Sequence, residues 1–211
     1  MSMIGHVRQI TPDDLRELQD NPSTVRKLLR RNIGASTEDM VSALRRVQKI
    51  ALARKDSRVL ETHTDREKAR AQILKELQSV GVTLPGEDPG GESLSLEKSW
   101  HSLHYLLTGK AEEAPSPLGN VILGGTPIGD DVGYGSARFL TPEQVREVSS
   151  ALNAVTADDL KARFDADQMS AAHIYACDGE EIELVLYYFA NLTRYYNDAA
   201  TKGNAMLLYI D

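Results

Sequence analysis

The stretch that decides the fold begins Ile182-Glu183-Leu184-Val185-Leu186-Tyr187-Tyr188-Phe189-Ala190 and ends Gly203-Asn204-Ala205-Met206-Leu207-Leu208-Tyr209-Ile210. Ile182, Val185, Phe189, Leu192 and Tyr196 recur at helical spacing, and Leu186 and Tyr188 widen the stripe. A face that broad predicts a central, buried helix over about 180–202. Gly203-Asn204 breaks it. The run 205–210 is then almost wholly apolar, as a strand covered on both faces requires. A long helix feeding a buried strand places the chain in the α/β class.

Working outward, residues 3–10 read as a short strand at the opposite end of the sequence. Thr11-Pro12-Asp13-Asp14 then starts a helix with a cap, a first-turn proline and two acids that complement the helix dipole. Val25, Leu28 and Leu29 mark a second, short helix. Two longer helices are predicted next, one behind the Ser36–Asp39 box and one from Thr64 to Val80, forming a hairpin. Pro85, Gly86, Pro89, Gly90 and Gly91 mark the loop that follows. Leu96, Trp100, Leu103 and Leu107 then recur at helical spacing. A glycine-rich stretch over 119–135 is expected to hold a short strand at Val121, Ile122 and Leu123. A further strand is expected at Ala137, Arg138 and Phe139. Thr141-Pro142-Glu143-Gln144 is the clearest helix start in the chain, and Thr156-Ala157-Asp158-Asp159 is another. The expected architecture is a small mixed sheet, including N- and C-terminal strands, surrounded by helices. A basic helical insertion is expected at about 34–92 within a single domain spanning 1–211.

With 211 residues, 41% of them hydrophobic, the chain can bury a core. Its one cysteine, Cys177, excludes an intrachain disulfide. The longest apolar run, 184–190, is far below the roughly 18 residues of a membrane helix. No signal-peptide pattern precedes Arg8. The expected location is the cytoplasm, with no membrane association. The net charge of −7 is uneven: residues 26–75 carry 14 of the 24 Lys and Arg, leaving the remainder strongly acidic. An acidic chain repels phosphate at long range, which argues against a nucleic-acid partner despite Arg45, Arg46, Lys49, Arg54 and Lys55.

His104 is the first candidate site residue. It lies at the edge of an apolar stripe beside Trp100, where partial burial lowers an imidazole pKa and makes a usable base. The competing reading is a core histidine bonded to a carbonyl. His101 and His104 are one turn apart, but the sequence holds no further metal-ligand motif, so no metal or other cofactor is expected. The glycine-rich stretch matches neither a phosphate loop nor the dinucleotide fingerprint. Tyr134 and Arg138 at its end could hold an anion near the helix that starts at Thr141. Arg138 could equally pair with a carboxylate. Cys177 with His173 suggests a nucleophile, but Asp178, Glu180, Glu181 and Glu183 oppose thiolate formation. Tyr187, Tyr188, Tyr195 and Tyr196 lack the interleaved basic residues of a base-stacking platform and read as core or partner-facing.

The segment 94–109, with Lys98, Trp100, Leu103-His104 and Leu107-Thr108-Gly109, resembles the signature of the YfbM-like family of uncharacterised bacterial proteins. Pro117-Leu118, Ile122-Leu123-Gly124-Gly125, Gly133-Tyr134-Gly135, Thr141-Pro142-Glu143-Gln144 and Gly203-Asn204-Ala205 extend the likeness. It covers the first dozen residues and most of 94–211. Trp100 and His104 match the pattern, whereas His101 does not. The resemblance implies a single α/β domain in a bacterial cytoplasm and carries no catalytic residues with it. Two functional classes remain. The favoured one is a non-catalytic binding or interaction protein with a protein partner, of an immunity-like kind that masks a basic surface by charge. The alternative is an enzyme or small-molecule sensor with a cleft near His104, Tyr134 and Arg138.

Overall fold

The computed structural model describes residues 2–31, 93–115, 117–177 and 182–211. The helical hairpin expected between 36 and 81 lies outside them.

The apolar run near the C-terminus forms β5 (Ala205–Ile210), and the alternating N-terminal segment forms β1 (Gly5–Ile10). They pair antiparallel over their full length, from Gly5 opposite Ile210 to Ile10 opposite Ala205. β2 (Ser93–Glu97) adds to the free side of β1. β4 (Ser136–Leu140) adds to the free side of β5, and β3 (Thr126–Asp131) closes the far edge. The order is β2-β1-β5-β4-β3 and all four pairings are antiparallel. The expected sheet, with strands from both ends of the sequence, is therefore present.

Alternation splits the sheet into two faces. Val7, Leu140, Met206 and Leu208 face a core built with three helices. These are α3 (Trp100–Thr108), α4 (Pro142–Asn153) and α7 (Ile182–Lys202). Ile10, Phe139, Ala205 and Leu207 face a smaller core with Leu15, Leu18 and Val25. That core uses α1 (Pro12–Asp20) and the start of α2 (Val25–Arg31). α7 buries Val185, Phe189, Leu192 and Tyr196 of the seam read from its spacing, with Tyr195 beside them, while Ile182, Leu186 and Tyr188 are partly buried against the same core. Two short helices, α5 (Ala157–Arg163) and α6 (Ala166–Ala171), precede it. Thr11, Thr141 and Thr156 each close a complete capping box, with side chain and backbone bonded reciprocally. No helix among the described residues is long and apolar enough to cross a membrane.

Three local expectations are corrected. Leu96 lies on β2 and not on the helix that begins at Trp100. Its four-residue spacing to Trp100 mimics a helical stripe because a turn, with Glu97 at φ +49°, folds both side chains into one core. Val121 and Ile122 are buried, but in a 3₁₀ turn (Gly119–Val121) and its exit, where Tyr196 donates to the Val121 carbonyl at 2.9 Å. A short apolar run does not distinguish a strand from a packed turn. The glycine-rich stretch conceals β3, an edge strand that tolerates Pro127 because its outer side needs no ladder bond.

Gly5 sets the entry to the sheet. A Cβ built there would lie 2.4 Å from Trp100 Cβ, so only glycine lets the indole seat against β1. This contact places α3, and with it the candidate residues.

Candidate functional site: the α3 histidines and the loop they hold

Trp100 is buried at the start of α3, and its Nε1 donates to the Met3 carbonyl at 3.3 Å. The His101 ring stacks on it with centroids 4.6 Å apart and planes within 7°. Tyr175 continues the stack at 6.2 Å. One turn on, His104 is completely buried. The chain leaves α3 through Gly109 in the left-handed conformation and folds back beneath the helix. His101 Nε2 then lies 2.8 Å from the Ala111 carbonyl, and His104 Nε2 lies 2.8 Å from the Glu112 carbonyl.

These partners fix the protonation states. A carbonyl only accepts, so Nε2 of each ring carries the proton and donates. His101 Nδ1 accepts the Tyr175 backbone N–H at 2.8 Å and is therefore unprotonated. His104 Nδ1 is buried with no hydrogen-bond partner among the described residues. Burial pushes both pKa values below the ordinary histidine range, against a smaller opposite pull from the carbonyl bonds. For His104, the nearby His101 adds to the lowering.

A depressed histidine pKa means that the unfolded chain takes up protons before the folded one. The neutral rings give their full stability above about pH 6.5, the unfolded value, and that stability declines as pH falls toward the folded pKa. His104 alone removes up to about 1.4 kcal/mol per pH unit across that window. Urea midpoints at pH 7.5 and 5.5 are expected to fall less steeply for His104→Gln than for wild type, even though the variant starts lower. Equal slopes would mean that His104 titrates in the folded protein as freely as in the unfolded chain.

Arg138 projects from β4 toward the same loop. Its Nη1 donates to the Gly125 carbonyl at 3.2 Å, and its Nη2 bonds the Glu113 carboxylate. Of the two readings of Arg138, carboxylate pairing is the observed geometry. Three consecutive loop residues are thus held by His101, His104 and Arg138. Trp100 joins them through the His101 stack. Tyr134 shares none of these partners: it sits half-exposed at the tip of the β3–β4 hairpin, and its backbone N–H donates to Ile210 at 3.1 Å. Cys177 is buried. Tyr195 and Tyr196 are wholly buried in the core.

Two features were not visible in the sequence. Tyr175 completes the aromatic stack from 74 residues away, and nothing in its surroundings marks it. His6 and Tyr209 stack across β1 and β5 at 4.7 Å, with His6 Nε2 3.0 Å from Asp211 Oδ1. Their pairing follows from strand register, which periodicity alone does not supply. Among the described residues, no three His, Cys, Asp or Glu side chains group as metal ligands.

An antiparallel five-stranded sheet with helices on both faces, and an α3 whose polar side chains secure the loop leaving it, defines the class: an α/β domain with no assigned chemistry. The chain belongs to the family described as Domain of unknown function (DUF1877), whose model matches residues 1–209. It is similar to a solved structure titled as a protein of unknown function, YfbM, from Escherichia coli. The two are 17% identical over 99% of each chain, with a TM-score of 0.54. That likeness concerns the fold alone. No curated protein matches the chain.

Proposed function

We propose that this protein is a non-catalytic cytoplasmic binding or interaction protein, of the immunity-like kind that covers a basic protein surface. One observation carries the reading: His101, His104 and Arg138 all spend donors within their own chain, on the consecutive loop residues Ala111, Glu112 and Glu113, and Arg138 on the Gly125 carbonyl as well. An imidazole that donates to a backbone carbonyl inside the core has no nucleophile to activate. The acidic character of the chain outside 26–75 supports a basic partner. Asp158, Asp159, Asp165 and Asp167 on α5, α6 and their caps are exposed and contribute to that surface.

The test is purification of the tagged chain from native lysate at low ionic strength. A stoichiometric basic protein that leaves as salt is raised is the expected result, because exposed charge pairs are screened within about 8 Å at physiological salt. Elution alone at low salt counts against the reading. The unpartnered His104 Nδ1 favours one alternative, a small-molecule site near His104, Tyr134 and Arg138. A ligand present at about 100 times its dissociation constant adds roughly 2.7 kcal/mol of stability. A thermal-shift screen of nucleotides, sugar phosphates and amino acids that yields a hit lost in His104→Ala would establish the alternative.

A further inference from the structure

We propose that the turn at residues 173–177, latched to α3 by His101, is a pH-sensitive catch that opens in mildly acidic solution and loosens the N-terminal segment with it.

The turn stores strain. His173 and Ala176 both adopt left-handed backbone conformations, at φ +56° and +57°, although neither is glycine. L-residues other than glycine are disfavoured in this conformation, so the turn persists only because its surroundings hold it. Ile174 and Cys177 are buried, and the backbone N–H groups of His173 and Ile174 bond back to Ser170 and Met169. A side-chain bond ties the turn's backbone to α3: the Tyr175 N–H donates to His101 Nδ1. The same Tyr175 reaches the start of the chain, where its hydroxyl accepts the Met3 N–H at 3.1 Å and lies 3.5 Å from Ser2 Oγ.

The catch is released by one proton from solvent. It adds to the Nδ1 lone pair, removes the acceptor for Tyr175 and sets two N–H groups against each other. Nε2 keeps its bond to Ala111, so the ring cannot answer by turning over without losing that bond as well. Among the described residues, the ring nitrogens of His101 bond the Ala111 carbonyl and the Tyr175 N–H and no carboxylate. The titratable groups on the elements around it are His104 on the same helix, Lys98 before it, Lys110, Glu112 and Glu113 on the loop beneath, and His173, the Tyr175 phenol and the Cys177 thiol on the turn. Opening relieves the strain and returns the imidazole to water, where it protonates near its ordinary value. Each pH unit below that value favours the open form tenfold.

Trp100 is the sole tryptophan and is stacked on the switching ring, so its emission reports the catch directly. The full chain is titrated from pH 8 to 5 with tryptophan emission and far-UV circular dichroism read in parallel. The expected result is an emission change between pH 7 and 5 with the dichroism unaltered. The change is expected to be absent in His101→Gln and retained in His104→Gln. Constant emission in wild type overturns the proposal, as does a change that coincides with loss of dichroism or persists in His101→Gln. A second readout needs no variant: hydrogen exchange of the Tyr175 amide. Its protection is expected to fall at least tenfold from pH 7 to 5.5 while the amides of β5 keep theirs, and unchanged protection at Tyr175 also overturns the proposal.

Discussion

Gly5→Ala is expected to cost about 3 kcal/mol of folding stability, the upper end of what overpacking a well-filled core removes. The new methyl would lie 2.4 Å from Trp100 Cβ and 2.7 Å from Cγ, atoms near the α3 backbone and not at the free end of a flexible side chain. Relief requires either β1 or the start of α3 to move. β1 is held by β2 on one side and by β5 along its whole length on the other. α3 is held by the Trp100, His101 and His104 bonds. For a chain of this size, a loss of about 3 kcal/mol lowers the melting temperature by roughly 6–12 °C. Gly109→Ala supplies the comparison. Gly109 has φ +72° but nothing within 4 Å of its absent Cβ, so only the backbone conformation is penalised, by about 1 kcal/mol. Equal losses in the two variants would show that crowding against Trp100 is not what requires glycine at position 5.

The second large effect belongs to α7. Leu192 has no exposed surface and packs in the core shared by α3, α4, α7 and the sheet. Leu192→Ala removes buried methyl groups and leaves a space that neighbours on three sides cannot fill, at a cost of about 3 kcal/mol. Leu184→Ala makes the same chemical change on the same helix. Its side chain is 46% exposed, and the expected loss is below about 0.5 kcal/mol. Urea denaturation of the two variants measures the difference. A Leu192→Ala loss as small as that of Leu184→Ala would contradict the central placement of α7.

The elements legible in the sequence are those whose information is local. Thr11, Thr141 and Thr156 announce their helices because each cap and its partner lie within four residues. The α7 seam and the apolar β5 run are long enough for their periods to be unambiguous. β2 was hidden because Leu94 and Leu96 alternate correctly for only five residues, and Leu96 also fits the spacing of the next helix. β3 was hidden because Pro127, Gly129, Asp130 and Asp131 are poor strand formers, acceptable only at an edge. The site divides along the same line. That His104 borders an apolar stripe beside Trp100 is a fact of helical spacing. That its proton goes to Glu112, and that His101 grips Tyr175, depends on how the chain returns after Gly109 and after α6, and no period reports that.

The pairing of β1 with β5 also bears on synthesis. β5 is the middle strand, so before it exists the sheet is two unconnected pairs, β2–β1 and β4–β3. A ribosome adding about 5–20 residues per second needs roughly 10–40 s to travel from β1 to β5. Throughout that interval the edge of β1 that β5 later occupies has no pairing strand, and Val7 and Ile10, one on each face, lack their β5 neighbours. A nascent chain of this topology depends on whatever shields that open flank, such as a chaperone, the tunnel exit or its own early helices, until a single late segment joins the two pairs.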